Sequence, residues 1–274
     1  MADIFWKGTD ESSPTDWNTA ANWSGGAVPT ATDNVRLIAA YSNDLAGYDA
    51  SGVALSDFIV MPGYTGKIGT ASADLQISCS YFEYSGEGEA YIDLGSSSVS
   101  PRIRTTATAP GTGENGLYLI GSALDVLSIE SGSVGLAAIH GQTATATTVR
   151  QFGGTFNCGT AASVTTFNGH GGSAAIDCNL TTCNLFGGTA TTGEEMTIGT
   201  LTIEAGTLVA NSSGTITTVN IDGGELDLSR TGVARVVTTL NLNPGGSLRY
   251  DPTSVTLSTI NEADAPIVIT TSRM

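Results

Sequence analysis

From residue 111 to residue 243 the chain contains no proline and repeats one phrase: apolar, polar, apolar, then glycine with Ser, Thr or Glu, then apolar again. Clear copies are Leu127-Ser128-Ile129 before Gly132, Leu201-Thr202-Ile203 before Gly206 and Val219-Asn220-Ile221 before Gly224. Looser ones precede Gly154, Gly172 and Gly188, and Leu240-Asn241-Leu242 precedes Gly246 with one extra residue. The marker glycines Gly132, Gly154, Gly172, Gly188, Gly206, Gly224 and Gly246 thus recur with a mean period of about 19. A unit of that length without helix signals cannot bury an apolar face alone, so successive units must stack. A central strand cannot spare an N–H, and the missing prolines therefore point to continuous hydrogen-bonded sheet.

The fold class expected is all-β, a parallel β-helix (β-solenoid) whose coils lie about 4.8 Å apart. Each marker glycine would supply a positive-φ corner. Two positions after each marker stand Val134, Phe156, Ala174, Ala190, Leu208, Leu226 and Leu248, an apolar column for the interior. Thr165, Thr181, Thr202, Asn220 and Asn241 are expected to stack outside or at corners. An antiparallel sandwich would instead place Asn-Gly or Asp-Gly turns at a spacing of about 8–12 residues. Asn115-Gly116, Asn168-Gly169 and Asp222-Gly223 are not so spaced. Composition agrees with strands: Gly, Thr and Ser fill 37% of positions, charged residues only 13%, and mean hydropathy is +0.09.

The formal charge of −16 argues against capture of phosphate backbones, so no nucleic-acid partner is expected. No run of about 18 apolar residues suggests a membrane helix. The opening Met1-Ala2-Asp3-Ile4-Phe5-Trp6-Lys7 lacks the form of a signal peptide. Cys79, Cys158, Cys178 and Cys183 form no CxxC pair, and His140 and His170 are the only histidines. The cysteines are read as reduced core or turn residues, with no metal site and no cofactor. For catalysis the repeat offers Asp177, Glu194, Glu195, Glu204, Asp222, Glu225 and Asp227, with Arg150, Arg230, Arg235, His140 and His170 to assist. Glu204 and Asp222 both stand two positions before a marker and would stack, as a solvated rim more than as a paired acid and base. No nucleotide, nucleophile-elbow or zinc motif occurs in a usable context, and no catalytic residue is assigned.

The segment 1–65 differs in texture and holds all the tryptophans, Trp6, Trp17 and Trp23. The stretch Trp17-Asn18-Thr19-Ala20-Ala21-Asn22-Trp23-Ser24-Gly25-Gly26-Ala27-Val28-Pro29, followed by Asp33-Asn34-Val35, resembles the W-x-x-A-x-N-W-x-x-G-x-x-P opening of bacterial and phage β-solenoid surface proteins. The resemblance covers roughly residues 6 to 38 and implies a structural or adhesive role. With no leader before it, the chain looks most like a virion structural protein of a tailed phage, assembled in the host cytoplasm: a capsid decoration or cement protein. The expected partners are the major capsid protein and copies of the chain itself, as a trimer. The alternatives are a tail-fibre module binding host-surface glycans, and a polysaccharide-cleaving β-helix enzyme. Three segments are expected: a capping or attachment segment over 1–65, solenoid coils over 66–250, and a C-terminal cap or inter-subunit strand over 251–274. Candidate cap or interface residues are Trp6, Trp17, Trp23 and Pro29, and, near the C-terminus, Ile267, Val268 and Ile269.

Overall fold

The computed structural model describes residues 3–96, 98–107, 116–138, 142–230, 232–263 and 268–271. The chain is a parallel β-solenoid, and among the described residues it has two short 3-10 turns, Ala20–Asn22 and Ala39–Tyr41. It divides into two compact units, residues 1–147 and 148–274.

In the first unit the parallel ladder begins at once. Asp3–Phe5 pairs with Asn34–Leu37, which pairs with Asp49–Val60, then Leu75–Tyr84, Arg102–Arg104 and Leu117–Ser131. In-register pairing therefore starts within the 1–65 segment. One interior column reads Leu37, Val60, Tyr84, Ile103 and Ile129, and all five are fully buried. Beside it, Val35, Phe58 and Phe82 stack, the two phenyl rings nearly coplanar at 6.0 Å. Members of these columns follow one another at uneven sequence intervals, because the turns between them differ in length. That irregularity hides the repeat in this part of the sequence.

The second unit follows the marker glycines. Phe156, Ala174, Ala190, Leu208, Leu226 and Leu248 pair in succession and are buried, as the interior column requires. On the opposite wall run Phe167, Cys183, Leu201, Val219, Leu240 and Ile260. The bulky pair Phe156 and Phe167, with ring centroids 5.9 Å apart, is followed in the next coil by the small pair Ala174 and Cys183. Small side chains next to the two rings leave them room in a close-packed interior.

Two polar ladders accompany the core. Thr166, Thr182, Thr200, Thr218, Thr239 and Thr259 form one. Asn168, Asn184, Thr202, Asn220, Asn241 and Asn261 form the other. Asn241 Nδ2 donates to Asn220 Oδ1 at 2.7 Å, Asn261 Nδ2 to Asn241 Oδ1 at 2.7 Å, and Asn184 Nδ2 to Asn168 Oδ1 at 2.8 Å. Each such bond adds about 0.5–1.5 kcal/mol net. Thr165 and Thr181 do not belong to this ladder. They sit where each long strand bends, so two consecutive residues face outward and the apolar spacing becomes three, as from Leu180 to Cys183.

Positive φ occurs at Gly132, Gly154, Gly172, Gly188, Gly206 and Gly224, the expected corners. The last corner differs. Its extra residue, Pro244, moves the left-handed conformation to Gly245 (φ 92°), although Gly246 keeps its register opposite Gly224. At the far end, Val255–Glu262 and Val268–Thr271 continue the parallel ladders within the chain. There Glu262 takes the register place held by Leu185, Ile203, Ile221 and Leu242 in earlier coils, and Ile260 is 44% exposed. A charge at the end of an apolar column discourages another coil from stacking on it.

At the corners glycine answers two demands, a left-handed φ and the carbonyl of the coil beneath. A Cβ on Gly188 (φ 75°) would meet Gly172 O at 2.6 Å. Gly188→Ala is expected to lower stability by about 2–3 kcal/mol in chemical denaturation. Gly25→Ala, with ordinary φ and nothing within 4 Å of its Cβ, should stay within about 0.5 kcal/mol of the parent chain.

Candidate functional site

The residues that set this chain apart from a plain stack of coils fall in three places. The first is the aromatic segment near the N-terminus. Trp6, Trp17 and Trp23 are almost wholly buried and pack edge to face, with centroids 4.9 Å apart for Trp6–Trp23 and 4.7 Å for Trp17–Trp23. Trp23 Nε1 donates to Trp17 O at 2.7 Å and Trp6 Nε1 to Asn43 O at 3.1 Å. Their faces are occupied by one another and by Tyr48, stacked 6.3 Å from Trp17. Pro29 is buried too. Asp33 closes the turn that follows, accepting from Thr30 N at 2.9 Å and Thr30 Oγ1 at 2.8 Å, and launches the strand Asn34–Leu37.

Within the same motif, sequence reasoning missed the work of Asn22. Its side chain is completely buried and makes three hydrogen bonds to a looping backbone. Oδ1 accepts from Asp10 N at 2.8 Å, while Nδ2 donates to Ser13 O at 2.7 Å and Asp16 O at 3.0 Å. One carboxamide thereby satisfies three backbone groups that have no strand to pair with.

The second place is an exposed corner of the second unit. The position two before each marker glycine holds Phe152, His170, Phe186, Glu204 and Asp222, one per coil. Phe152 and His170 stack at 4.9 Å with an 8° tilt, and His170 and Phe186 at 4.7 Å with 13°. Phe152 is 50% exposed and Phe186 37%. Backbone bonds hold the column: His170 N donates to Gln151 O, Phe186 N to Gly169 O, Glu204 N to Leu185 O and Asp222 N to Ile203 O. Glu204 and Asp222 do take equivalent positions on an exposed rim, as expected. The aromatic half of that column is the part sequence reasoning passed over, although the glycine frame that aligned the two acids aligns the three rings as well.

The third place comprises two open hollows on the second unit. One, about 360 Å³, is lined by Thr160, Ser163, Asp177, Cys178, Asn179 and Glu195. Burial pushes the Asp177 carboxyl above its usual range. The other, about 320 Å³, is lined by Glu194, Glu195, Asn211, Ser213 and Arg230, with Arg230 Nη2 3.4 Å from Glu194 Oε1. The remaining acids lie elsewhere: Asp227 pairs with Arg249 at 3.7 Å, and Glu225 stacks opposite Ser247. Arg150 is exposed, whereas Arg235 is buried and donates through Nη1 to Ala210 O. Its Nε and Nη2 have no hydrogen-bond partner, and burial holds the guanidinium below the usual arginine range. Arg235 is thus withdrawn from the surface acids that it was expected to assist. His140 and Ile267 lie outside the described residues, and of Val268 and Ile269 only the strand Val268–Thr271 is described. Among the described residues no group of three or more His, Cys, Asp or Glu is placed to hold a metal ion.

In comparison with known proteins, no family model matches the chain, and neither a curated protein nor a solved structure does.

Replacing Asn22 by alanine takes the acceptor from Asp10 N, while Ser13 O and Asp16 O keep only the longer backbone bonds from Asp16 N at 3.2 Å and Thr19 N at 3.3 Å. Asn22→Ala is expected to lower stability by about 2–4 kcal/mol, with the Trp17–Trp23 environment changing together with it. Tryptophan emission followed through denaturation reads both effects.

Proposed function

We propose that this chain is a non-enzymatic structural protein of a tailed-phage virion, a decoration or cement protein seated on the capsid shell in several copies. The observation that carries the reading is the exposed stack Phe152, His170 and Phe186 on a continuous strand ladder. The ladder holds those rings at fixed spacing, so little conformational entropy is lost when another protein covers them. His170 is covered on both faces, and Phe152 and Phe186 on one face each, so the three rings form a preformed row rather than a single open ring face. A row of this kind suits packing against a protein surface. The neighbouring Glu204 and Asp222 supply a charged rim beside the apolar contact, the usual anatomy of a protein interface.

Further support comes from the resemblance of residues 6 to 38 to phage and bacterial solenoid surface proteins. In this reading the capsid protein is the partner, copies of the chain associate as a trimer, and the −16 charge keeps decorated particles apart. Assembly takes place in the host cytoplasm and the mature location is the virion. No catalytic residue is assigned; of the hollow acids, Glu194 is taken up by its ion pair with Arg230.

Quantitative mass spectrometry of virions purified from the source of this chain tests the proposal. Hundreds of copies per particle are expected; tens would move it to the tail, and absence would overturn it. Phe152→Ser combined with Phe186→Ser should reduce occupancy on isolated shells at least about tenfold while leaving the unfolding temperature within about 2 °C. Retained occupancy would remove the aromatic stack from the interface. A glycan array on which the parent chain binds and the double variant does not would favour the host-surface adhesin instead.

A further inference from the structure

Four cysteines are buried among the described residues, and their surroundings divide them sharply. Cys79 and Cys183 sit in apolar interior positions, where burial pushes each thiol up to about 12. Cys158 and Cys178 face each other instead. Cys158 ends the strand Thr155–Cys158 and stacks opposite Ile176 of the next coil. Asp177 N donates to Cys158 O at 2.9 Å, and the chain then turns so that Cys178 Sγ lies 2.8 Å from Cys158 Sγ. That is closer than two non-bonded sulfurs pack, and within about 1 Å of the disulfide bond length of about 2.05 Å. The two sulfurs are also unequal. Either thiol can donate to the other across this contact, and the shared hydrogen bond favours one thiolate in the pair, lowering the Cys178 thiol and raising that of Cys158. Access is unequal in the same sense, because Cys178 lines the open hollow of about 360 Å³ beside Thr160, Asp177 and Asn179.

We propose that Cys158 and Cys178 are a disulfide-forming pair that staples two consecutive coils, and that a small peroxide entering the hollow is the oxidant that closes it. The Cys178 thiolate attacks one peroxide oxygen; the O–O bond breaks, hydroxide leaves and Cys178 becomes a sulfenic acid. Cys158 sulfur then attacks Cys178 sulfur, the S–O bond breaks, and water departs with the proton that Cys158 gives up. Two thiols and one hydrogen peroxide thus give one disulfide and two waters. The bond closes residues 158 to 178 into a covalent ring that spans one coil. A coil closed in this way cannot peel from its neighbour without carrying the ring with it, and the unfolded chain loses loop freedom.

The experiment uses the full chain, reduced and then exposed to hydrogen peroxide at low molar excess. Thiol titration under denaturing conditions should fall from four to two. Peptide mapping without reductant should recover Cys158 joined to Cys178 at a mass lower by two hydrogens. The unfolding temperature should rise by about 5–10 °C on oxidation and return on reduction. Cys158→Ser and Cys178→Ser should each abolish that rise. Four thiols remaining, a cross-link through Cys79 or Cys183, or Cys178 over-oxidised with Cys158 still free would each overturn the proposal. Should either serine variant fail to fold, the peptide map of the parent chain decides by itself.

Discussion

Everything in this protein depends on the in-register parallel ladder. Once a strand pairs with its equivalent one coil away, each side chain is bound to lie about 4.8 Å above its counterpart. A position is then no longer a residue but a column. Columns of like character are favourable on the inside, where Phe156 to Leu248 and Leu185 to Leu242 form continuous apolar walls. They are also favourable where the side chain can donate and accept in turn, as in the asparagine ladder through Asn220, Asn241 and Asn261. Columns of like charge are unfavourable unless they face water, and Glu204 and Asp222 stand on an exposed rim.

The same ladder explains why the corners are glycine and why function is carried on edges. At Gly188 the carbonyl of Gly172 occupies the space a side chain would need, so the repeat cannot vary there. Two positions earlier the chain faces solvent, and the ladder is indifferent to what it holds. That position runs from aromatic at Phe152, His170 and Phe186 to acidic at Glu204 and Asp222 without disturbing a single backbone bond. The scaffold is therefore a ruler, and surface chemistry can be written on it coil by coil. The N-terminal segment obeys another logic: a loop without ladder partners is held by the Asn22 carboxamide and by three interlocked indoles.

Much of the second unit was legible because its period is nearly constant. The frame of Gly154 to Gly224 places Phe156 opposite Ala174 and Leu208 opposite Leu226 from spacing alone, and the register agrees. Of the expected outer ladder, Thr202, Asn220 and Asn241 do stack. Thr165 and Thr181 belong to a different column, because the strands bend, as between Leu180 and Cys183, and a bend breaks the alternation that aligns positions. The first unit was opaque for a different reason. Its coils vary in length and lack a regular glycine marker, so Val60, Tyr84 and Ile103 share a column that no fixed period reveals. Arg235 was counted as able to assist the acids from its residue type alone, whereas the fold buries it and turns its guanidinium toward Ala210 O.

By itself the sequence determined the kind of object this is: glycine corners at near-constant spacing, without proline or helix signals, leave stacked parallel coils as the way to bury the apolar positions. Within the second unit it also determined which residues share an inner column, because the ladder turns spacing directly into contact. Only the tertiary structure decided what happens where the chain leaves the ladder. Cys178 lies two positions beyond the partner of Cys158, so register alone keeps the sulfurs apart, and the path of the turn after Ile176 brings them to 2.8 Å. The burial of the tryptophans and the three bonds of Asn22 were decided in the same way. A repeat specifies contacts between equivalent positions, whereas a turn specifies contacts between unlike ones, and those follow from the path of the backbone in space.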